Sequence, residues 1–241
     1  KSYMWVYTTG KSADKNIILY DYKEGRSGKY AAEFLKGFTG YVHCDGWNGY
    51  DKVENIKRVG CWAHARRYFK EAINVQANIK DYSTVAGQGF LWIEKIFSTE
   101  DKITDAEEIK KIRETKGKEA VDGFFKFCET AEALPKSLTG KAVSYAINQK
   151  ENLMRYLENE NLEMTNNRAE RAVKPFVIGR KNWLFCNSPG GATASARLYS
   201  IIETAKANNL KIYDYLVWLF ENIHILPKTE LLPWSSKIAP N

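Results

Sequence analysis

The chain has 241 residues, 44% of them hydrophobic and 13% aromatic, which excludes a disordered segment and allows a sizeable packed core. Its 36 Lys and Arg against 29 Asp and Glu give a formal charge of +7, which favours a polyanionic partner. No apolar run reaches the length of a membrane span, and four widely separated cysteines in apolar surroundings indicate reduced thiols in a cytosolic protein.

Two strands and a helix are predicted at the start of the chain. Tyr3 to Thr8 and Ile17 to Tyr22 are rich in aromatic and β-branched residues and flank a polar loop, which predicts an antiparallel hairpin. Apolar residues then recur at helical spacing from Tyr30 to Phe38. Because the sequence starts at Lys1 and enters a strand directly, we expect a fragment of a longer protein.

A candidate site residue follows the next strand. The short strand Tyr41 to Cys44 ends in Asp45-Gly46, and Ile56 to Trp62 can supply one more strand. An acidic residue exposed by a glycine at the carboxyl end of a strand lies where open α/β sheets carry their functional groups. Asp45 is therefore a candidate for the functional site.

The middle of the chain is predicted to be helical. From Ala63 to Asn161 apolar residues recur every three or four positions, and breaks are expected near Gly87, Thr99 and Pro135. No strand pattern interrupts this block after the first helix. We therefore expect residues 75–161 to form a helical insertion in an α/β domain.

The stretch Met164 to Phe185 places one carboxylate, Glu170, among basic residues. These basic residues are Arg168, Arg171, Lys174, Arg180 and Lys181, and the stretch ends in the aromatic pair Trp183 and Phe185. Asn167 can cap a helix and Glu170 can reach back to the cap amide, a capping box that by itself accounts for the acid. The basic residues nevertheless continue past Pro175, where we expect the helix to end or kink. A cationic surface with aromatic rings and one carboxylate suits a protein that holds a phosphate backbone and places a metal ion on it.

Two helices and a tail complete the prediction. A loop at Gly190-Gly191 precedes a helix from Thr193 to Asn208, and a further helix covers Asp214 to Ile223. The proline-containing residues 226–241 are expected to form an irregular tail.

Six segments of the sequence resemble the transposases of the insertion sequence 66 family of bacterial mobile elements. In chain order they are YDYKEGRSG, GYVHCDGWNGYDKV, GCWAHARRYFKEA, MTNNRAERAVKPFVIGRKNWLF, GGATASARLYSIIETAKANNL and ELLPW. The resemblance implies an α/β fold with a ribonuclease-H-like mixed sheet flanked by helices and a helical insertion before the helix that bears the glutamate. It divides the chain into a catalytic core of residues 1–74 and 162–225, an insertion of residues 75–161 and a tail of residues 226–241.

The resemblance also implies a catalytic site. In that family an Asp-Asp-Glu triad holds two divalent cations, Mg²⁺ or Mn²⁺, and the matching segments make Asp45 the second acid and Glu170 the third. The first acid belongs to an Asp-Glu-Thr motif on a strand upstream of YMWVY, so we expect these residues alone to form an inactive fragment. Neither Asp14, which is typical of a turn, nor Asp21, which lies late in a strand, is predicted to replace it. The five basic residues around Glu170 are predicted to contact DNA phosphates.

The function implied is DNA transposition, in which strands are cleaved and joined at mobile-element ends. The expected partners are those DNA ends, the target DNA and further copies of the protein on DNA, with no membrane and, since no Gly-rich phosphate loop is present, no ATP. The expected location is the bacterial cytoplasm at the nucleoid. The alternative is a catalytically incomplete DNA-binding or assembly module. A glycosidase with two carboxylates is a weaker alternative, because it has no use for the basic residues around Glu170.

Two cysteine and two histidine residues are candidates either for a zinc site or for a structural role. Cys61 and His64 are three positions apart and His43-Cys44 precedes them, but a structural zinc needs four ligands in a closed geometry, and no second pair has the spacing of zinc ligands. The sequence favours a histidine that supports the core or the rim of the site.

Overall fold

The computed structural model describes residues 2–75, 82–183, 186 and 188–238. The chain divides into two compact units, one made of Lys1–Tyr30 with Asn167–Asn241 and the other of Ala31–Asn166. It is an α/β protein dominated by helices, and its described strands pair as two sheets of two strands each. In this described part, no helix is both long and apolar enough to cross a membrane.

The first unit begins with the predicted antiparallel hairpin. Strand β1 (Tyr3–Thr8) pairs with β2 (Ile18–Lys23), so that Tyr3 lies opposite Lys23 and Thr8 opposite Ile18. Alternating aromatic and β-branched residues suit a pleated, half-buried surface, which explains why the local pattern was sufficient here. The hairpin prediction is confirmed.

Side chains of helix α9 (Pro189–Ala207) cover the outer edge of β2. The Thr204 hydroxyl accepts the Ile18 N–H at 3.0 Å and donates to the Ile18 carbonyl at 2.9 Å, and the Ser200 hydroxyl accepts the Tyr20 N–H at 2.8 Å. Four residues of helix rise about 6 Å and two residues of strand about 6.6 Å, so the two spacings match. An edge that would otherwise be open to another strand is thereby paired within the chain.

Helix α8 (Asn167–Trp183) packs on β1 and continues through Pro175, so the predicted end at the proline was wrong, whereas the predicted kink stays a prediction. A proline has no N–H, and the carbonyl four residues earlier loses its helical partner. The Tyr20 hydroxyl of the hairpin donates a hydrogen bond to the carbonyl of Ala172, three residues before the proline. This bond ties helix α8 to the hairpin one residue away from Arg171, whose carbonyl is the one that the proline leaves without a helical donor.

Helix α9 also starts earlier than predicted, because Gly190 and Gly191 lie in its first turn rather than in a loop. The Ser188 hydroxyl accepts the Gly191 N–H at 3.1 Å, and Pro189 occupies the first helical position, where its missing N–H has no partner to lose. These two local signals outweigh the low helix propensity of the glycines.

The first unit ends with helix α10 (Ile212–Asn222) and a short 3₁₀ helix, Lys228–Glu230. Helix α10 contacts α9, and the Tyr215 hydroxyl donates to the carbonyl of Leu231 in the tail at 2.8 Å. Tyr215, Leu219 and Leu231 form a small buried cluster, which holds the tail against the helix.

Helix α1 (Gly28–Phe34) leads into the second unit, which contains a parallel pair of strands. Strand β3 (Gly40–His43) pairs with β4 (Ile56–Val59), with Gly40 opposite Ile56 and His43 opposite Val59. A 3₁₀ helix, Asn48–Lys52, lies in the connection between them.

Helices follow the parallel pair, as the sequence predicts. They are α2 (Trp62–Val75), α3 (Val85–Ser98), α4 (Ala106–Ile112), a π-helical segment (Arg113–Gly117), α5 (Lys118–Thr130), α6 (Leu138–Asn148), α7 (Lys150–Met154) and a 3₁₀ turn (Arg155–Glu158). The predicted breaks near Thr99 and Pro135 are confirmed, whereas Gly87 lies inside α3. The Thr84 hydroxyl caps that helix by accepting the Gly87 N–H at 3.1 Å, so the helix begins before the glycine.

One hydrophobic core joins the strands of this unit to the helices that follow. Val59 of β4, Trp62 and Phe69 of α2, Phe124 of α5 and Leu153 of α7 are all fully buried in the same cluster. The indole N–H of Trp62 donates to the Leu153 carbonyl at 3.0 Å, which satisfies its polar atom inside the core. The boundaries predicted for a separate insertion stay a prediction.

Candidate functional site

Asp45 lies just beyond β3, where the parallel ladder ends. The Cys44 N–H still donates to the Val59 carbonyl at 3.0 Å, and the chain turns at the next residue. One carboxylate oxygen of Asp45 accepts the Trp47 N–H at 3.1 Å, a side-chain turn that fixes the orientation of the acid. The structure therefore places a half-buried carboxylate at the carboxyl end of a parallel strand, as predicted from the sequence.

Arg58 of β4 holds the loop that follows Asp45. Its guanidinium donates to the Asp51 carboxylate and, at 3.4 Å, to the Trp47 carbonyl. Burial raises the pKa of the neighbouring Cys44 thiol to about 11, although Arg58 acts in the opposite direction. Cys44 is therefore a neutral core thiol, and the loop is anchored from the adjacent strand.

The far side of the Asp45 loop is closed by the C-terminal end of α6. A Cβ atom placed on Gly46 would lie 2.9 Å from Cε2 of Tyr145 and 3.2 Å from Cδ of Gln149, so only glycine permits this approach. Burial raises the pKa of Tyr145, and Cys61, Tyr68 and Asp45 add to the shift, so its phenol stays neutral. The sequence analysis did not predict that Tyr145 and Gln149 lie here. The one local sign was Gly46, because a glycine permits the close approach of another element without naming that element.

The histidine and cysteine residues near this end of the sheet have structural roles. His43 Nε2 lies 2.8 Å from the Gly60 carbonyl, and burial lowers the pKa of the His43 imidazole. The Cys61 sulfur accepts the Asn166 N–H at 3.2 Å. Among the described residues, no group of three or more His, Cys, Asp or Glu side chains is arranged to hold a metal ion.

Glu170 lies exposed in the first turn of α8, where its charge interacts favourably with the helix dipole. At about 3.6 residues per turn, the exposed Lys174 and Lys181 share its face of the helix. Arg171 and Arg180 are exposed on the two flanks of that face, whereas Arg168 is half-buried on the opposite side. Phe185 and the side chain of Trp183 lie outside the described residues. Asp45 and Glu170 belong to different compact units, and their meeting at one site stays a prediction.

The positive charge of the protein is concentrated in the unit that carries α8. Lys1–Tyr30 and Asn167–Asn241 contain 16 Lys and Arg against 8 Asp and Glu, a formal charge of +8. Ala31–Asn166 contain 20 against 21, a formal charge of −1. A polyanion is therefore attracted chiefly to the unit of the hairpin and α8.

The chain belongs to the family described as Transposase IS66 family, which matches residues 1–194. This match includes both Asp45 and Glu170. The strand-end carboxylate and helix α8 of the basic unit thus lie within the part of the chain that matches the transposase family.

Three relatives come from Sinorhizobium fredii (strain NBRC 101917 / NGR234), and each is an uncharacterized protein. The chain is 29% identical to y4qI and 28% identical to y4hP, with 98% of the chain and 47% of each relative covered. It is 24% identical to y4jD, with 90% of the chain and 45% of the relative covered. The chain thus spans about half the length of these relatives. No solved structure matches it.

Proposed function

We propose that the protein is the catalytic domain of a DNA transposase that cleaves and joins strands at mobile-element ends by metal-dependent phosphoryl transfer. The observation that carries this proposal is the family match over residues 1–194, which spans a strand-end aspartate and a glutamate on a basic helix. It follows that the protein acts on DNA in the cytoplasm, where the nucleoid lies, and that several copies assemble on the DNA ends.

We further propose that the strands belong to a ribonuclease-H-like arrangement. An antiparallel hairpin and a parallel pair are the two kinds of pairing that a mixed sheet combines, and both occur here. The 241 residues contain no Asp-Glu-Thr stretch, so in this proposal the first acid of the triad comes from outside them.

The two candidate acids fit the hard cations of such enzymes. Mg²⁺ and Mn²⁺ prefer oxygen ligands and retain several waters, so carboxylates from separate elements are sufficient. Asp45 would bridge two ions and Glu170 would bind one of them. When bound, the ions supply activation of the attacking hydroxyl and neutralisation of the leaving oxygen.

The exposed face of α8 is proposed to follow the DNA backbone. Lys174 and Lys181 lie on the face of Glu170, and Arg171 and Arg180 extend it to both sides. Replacing Lys174 and Lys181 with Gln should weaken DNA binding for every sequence and lower the slope of log affinity against log salt by about 2. Lys118 and Lys126, in the unit of charge −1, provide a matched double variant for which the slope should not change.

The activity is tested by nicking and strand-transfer assays, on element-end DNA with Mn²⁺, of the full-length protein that includes the first acid. Asp45→Asn and Glu170→Gln should each lower the rate at least ~100-fold, because metal ions contribute several kcal/mol to such reactions. Glu54→Gln is the matched control, since Glu54 is an exposed acid in the same connection between β3 and β4. Full activity in both Asp45→Asn and Glu170→Gln would refute the proposal.

One observation favours the alternative of a catalytically silent DNA-binding module. The described residues hold no cluster of three metal-binding side chains, while one unit carries a charge of +8. This alternative predicts salt-dependent DNA binding that Asp45→Asn and Glu170→Gln leave unchanged, together with no cleavage by the unaltered protein.

A further inference from the structure

The C-terminal end of α6 and the start of α7 lie against the carboxyl ends of both parallel strands. After β3, Gly46 meets Tyr145 and Gln149, with distances of 2.9 and 3.2 Å from the position of a Cβ. After β4, the Gly60 N–H donates to the Asn152 carbonyl at 2.8 Å. Helices far along the chain therefore bound the end of the sheet that carries Asp45.

The ring of Tyr145 is held in place by packing against α2. Its ring centroid lies 4.7 Å from that of Tyr68 on α2, and α6, whose Ala142 and Ala146 are fully buried in the core, packs against α2. A ring held by such packing has few alternative rotamers, because movement would require neighbouring core residues to move too. A ring held in this way restricts the movement of the peptide between Asp45 and Gly46.

Gln149 is held from two sides. Its backbone N–H donates to the Tyr145 carbonyl at 3.0 Å, and its side-chain oxygen accepts the Asn152 amide at 2.9 Å. The Cδ and Nε2 atoms of Gln149 lie 3.2 and 3.4 Å from the position that a Cβ on Gly46 would occupy. Gln149 thus links the loop after Asp45 to the residue that binds Gly60.

We propose that Tyr145 and Gln149 are positioning residues of the Asp45 site, which hold the Asp45-Gly46 peptide so that the carboxylate presents one orientation to a divalent cation. The inference rests on the proposed function. Asp45 is then fixed from both sides, by the Trp47 N–H on its own loop and by α6 across the glycine. The helical segment becomes part of the metal site, because the geometry of a ligand depends on the residues that support it.

Direct Mn²⁺ binding to the full-length protein that includes the first acid, measured by titration calorimetry, tests the positioning role without an activity assay. Tyr145→Ala should weaken Mn²⁺ binding about tenfold, the range of losses seen for supporting residues. Tyr145→Phe should bind as tightly as the unaltered protein, because the Tyr145 atom nearest to the Cβ position of Gly46 is a ring carbon and not the hydroxyl oxygen.

Trp92→Ala is the matched control. Trp92 contacts Gly123 in the same way, 2.6 Å from the position of a Cβ, but between α3 and α5. This variant should lower the midpoint of thermal unfolding and leave the Mn²⁺ affinity unchanged. Equal weakening by Trp92→Ala and Tyr145→Ala would overturn the proposal, since general destabilisation would then explain both.

A double-mutant cycle of thermal stability tests the close approach of Tyr145 to Gly46. Gly46→Ala adds a methyl group that meets Tyr145, so it should lower the unfolding midpoint more in the unaltered protein than in Tyr145→Ala. Equal losses in the two backgrounds would refute the contact and the proposal with it.

Mn²⁺ binding distinguishes a failure of this inference from a failure of the proposed function. If Asp45→Asn abolishes Mn²⁺ binding and Tyr145→Ala leaves it unchanged, the positioning role alone is wrong. If the unaltered protein binds no Mn²⁺, both are wrong.

Discussion

Replacement of Arg113 by Met should destabilise the second unit severely. Arg113 lies in the π-helical segment with its side chain only 3% exposed, and its Nε and Nη2 donate to the two Glu100 carboxylate oxygens at 2.6 and 2.8 Å. Its remaining N–H groups donate to the carbonyls of Tyr156, Asn159 and Leu162. One buried guanidinium therefore holds the segment that leads from α7 towards α8.

The expected loss follows from what the substitution leaves behind. Met can fill the volume of Arg113, but the Glu100 carboxylate, whose side chain is 11% exposed, loses its partner. Three backbone carbonyls also lose their donor. Removing one partner of a buried ion pair costs about 4 kcal/mol, which is roughly a thousandfold in the ratio of folded to unfolded protein. Replacing Glu100 with Leu in the same chain should recover part of this loss, because the unpaired charge is then absent.

Urea unfolding followed by fluorescence measures these differences. Lys118→Met is the matched control, since Lys118 pairs with Asp122 at 3.0 Å on the surface of the same unit, and it should change stability by about 0.5 kcal/mol or less. If Arg113→Met lowered the free energy of unfolding by under about 1 kcal/mol, the value typical of surface pairs, the assignment of a buried anchor would be wrong.

Two further variants test the other unit and the end of the sheet. Tyr20→Phe removes the donor to the Ala172 carbonyl and should cost about 1–2 kcal/mol in urea unfolding; a loss within error would contradict its role beside the proline. Burial lowers the pKa of His43, whose Nε2 contacts the Gly60 carbonyl, so the unfolded chain binds the proton more readily. The contribution of His43 is fully present above about pH 6.5 and is lost as the pH falls towards its folded pKa, so His43→Asn should flatten the acid limb of a stability profile.

Local sequence patterns were sufficient where short-range interactions decide the structure. The first strand was predicted with its observed bounds, Tyr3–Thr8, because its residue types suit a pleated surface wherever it packs. The start of α9 was missed although Ser188 and Pro189 supply a recognisable cap and first position. The continuation of α8 through Pro175 could not be predicted from the local pattern, because the contacts that hold this helix, such as that of the Tyr20 hydroxyl with the Ala172 carbonyl, come from the distant hairpin.

By itself, the amino-acid sequence determined the family, the hairpin, the helical middle and the two candidate acids, since motifs and periodicity are properties of neighbouring positions. Only the tertiary structure decided that Tyr145 and Gln149 lie against the glycine after Asp45 and that Arg113 binds three distant carbonyls. Helical periodicity shows which face of α6 is apolar, but not which strand end that face will meet. That choice depends on how helices and strands pack around one buried core, and packing is decided by the shape of the whole unit.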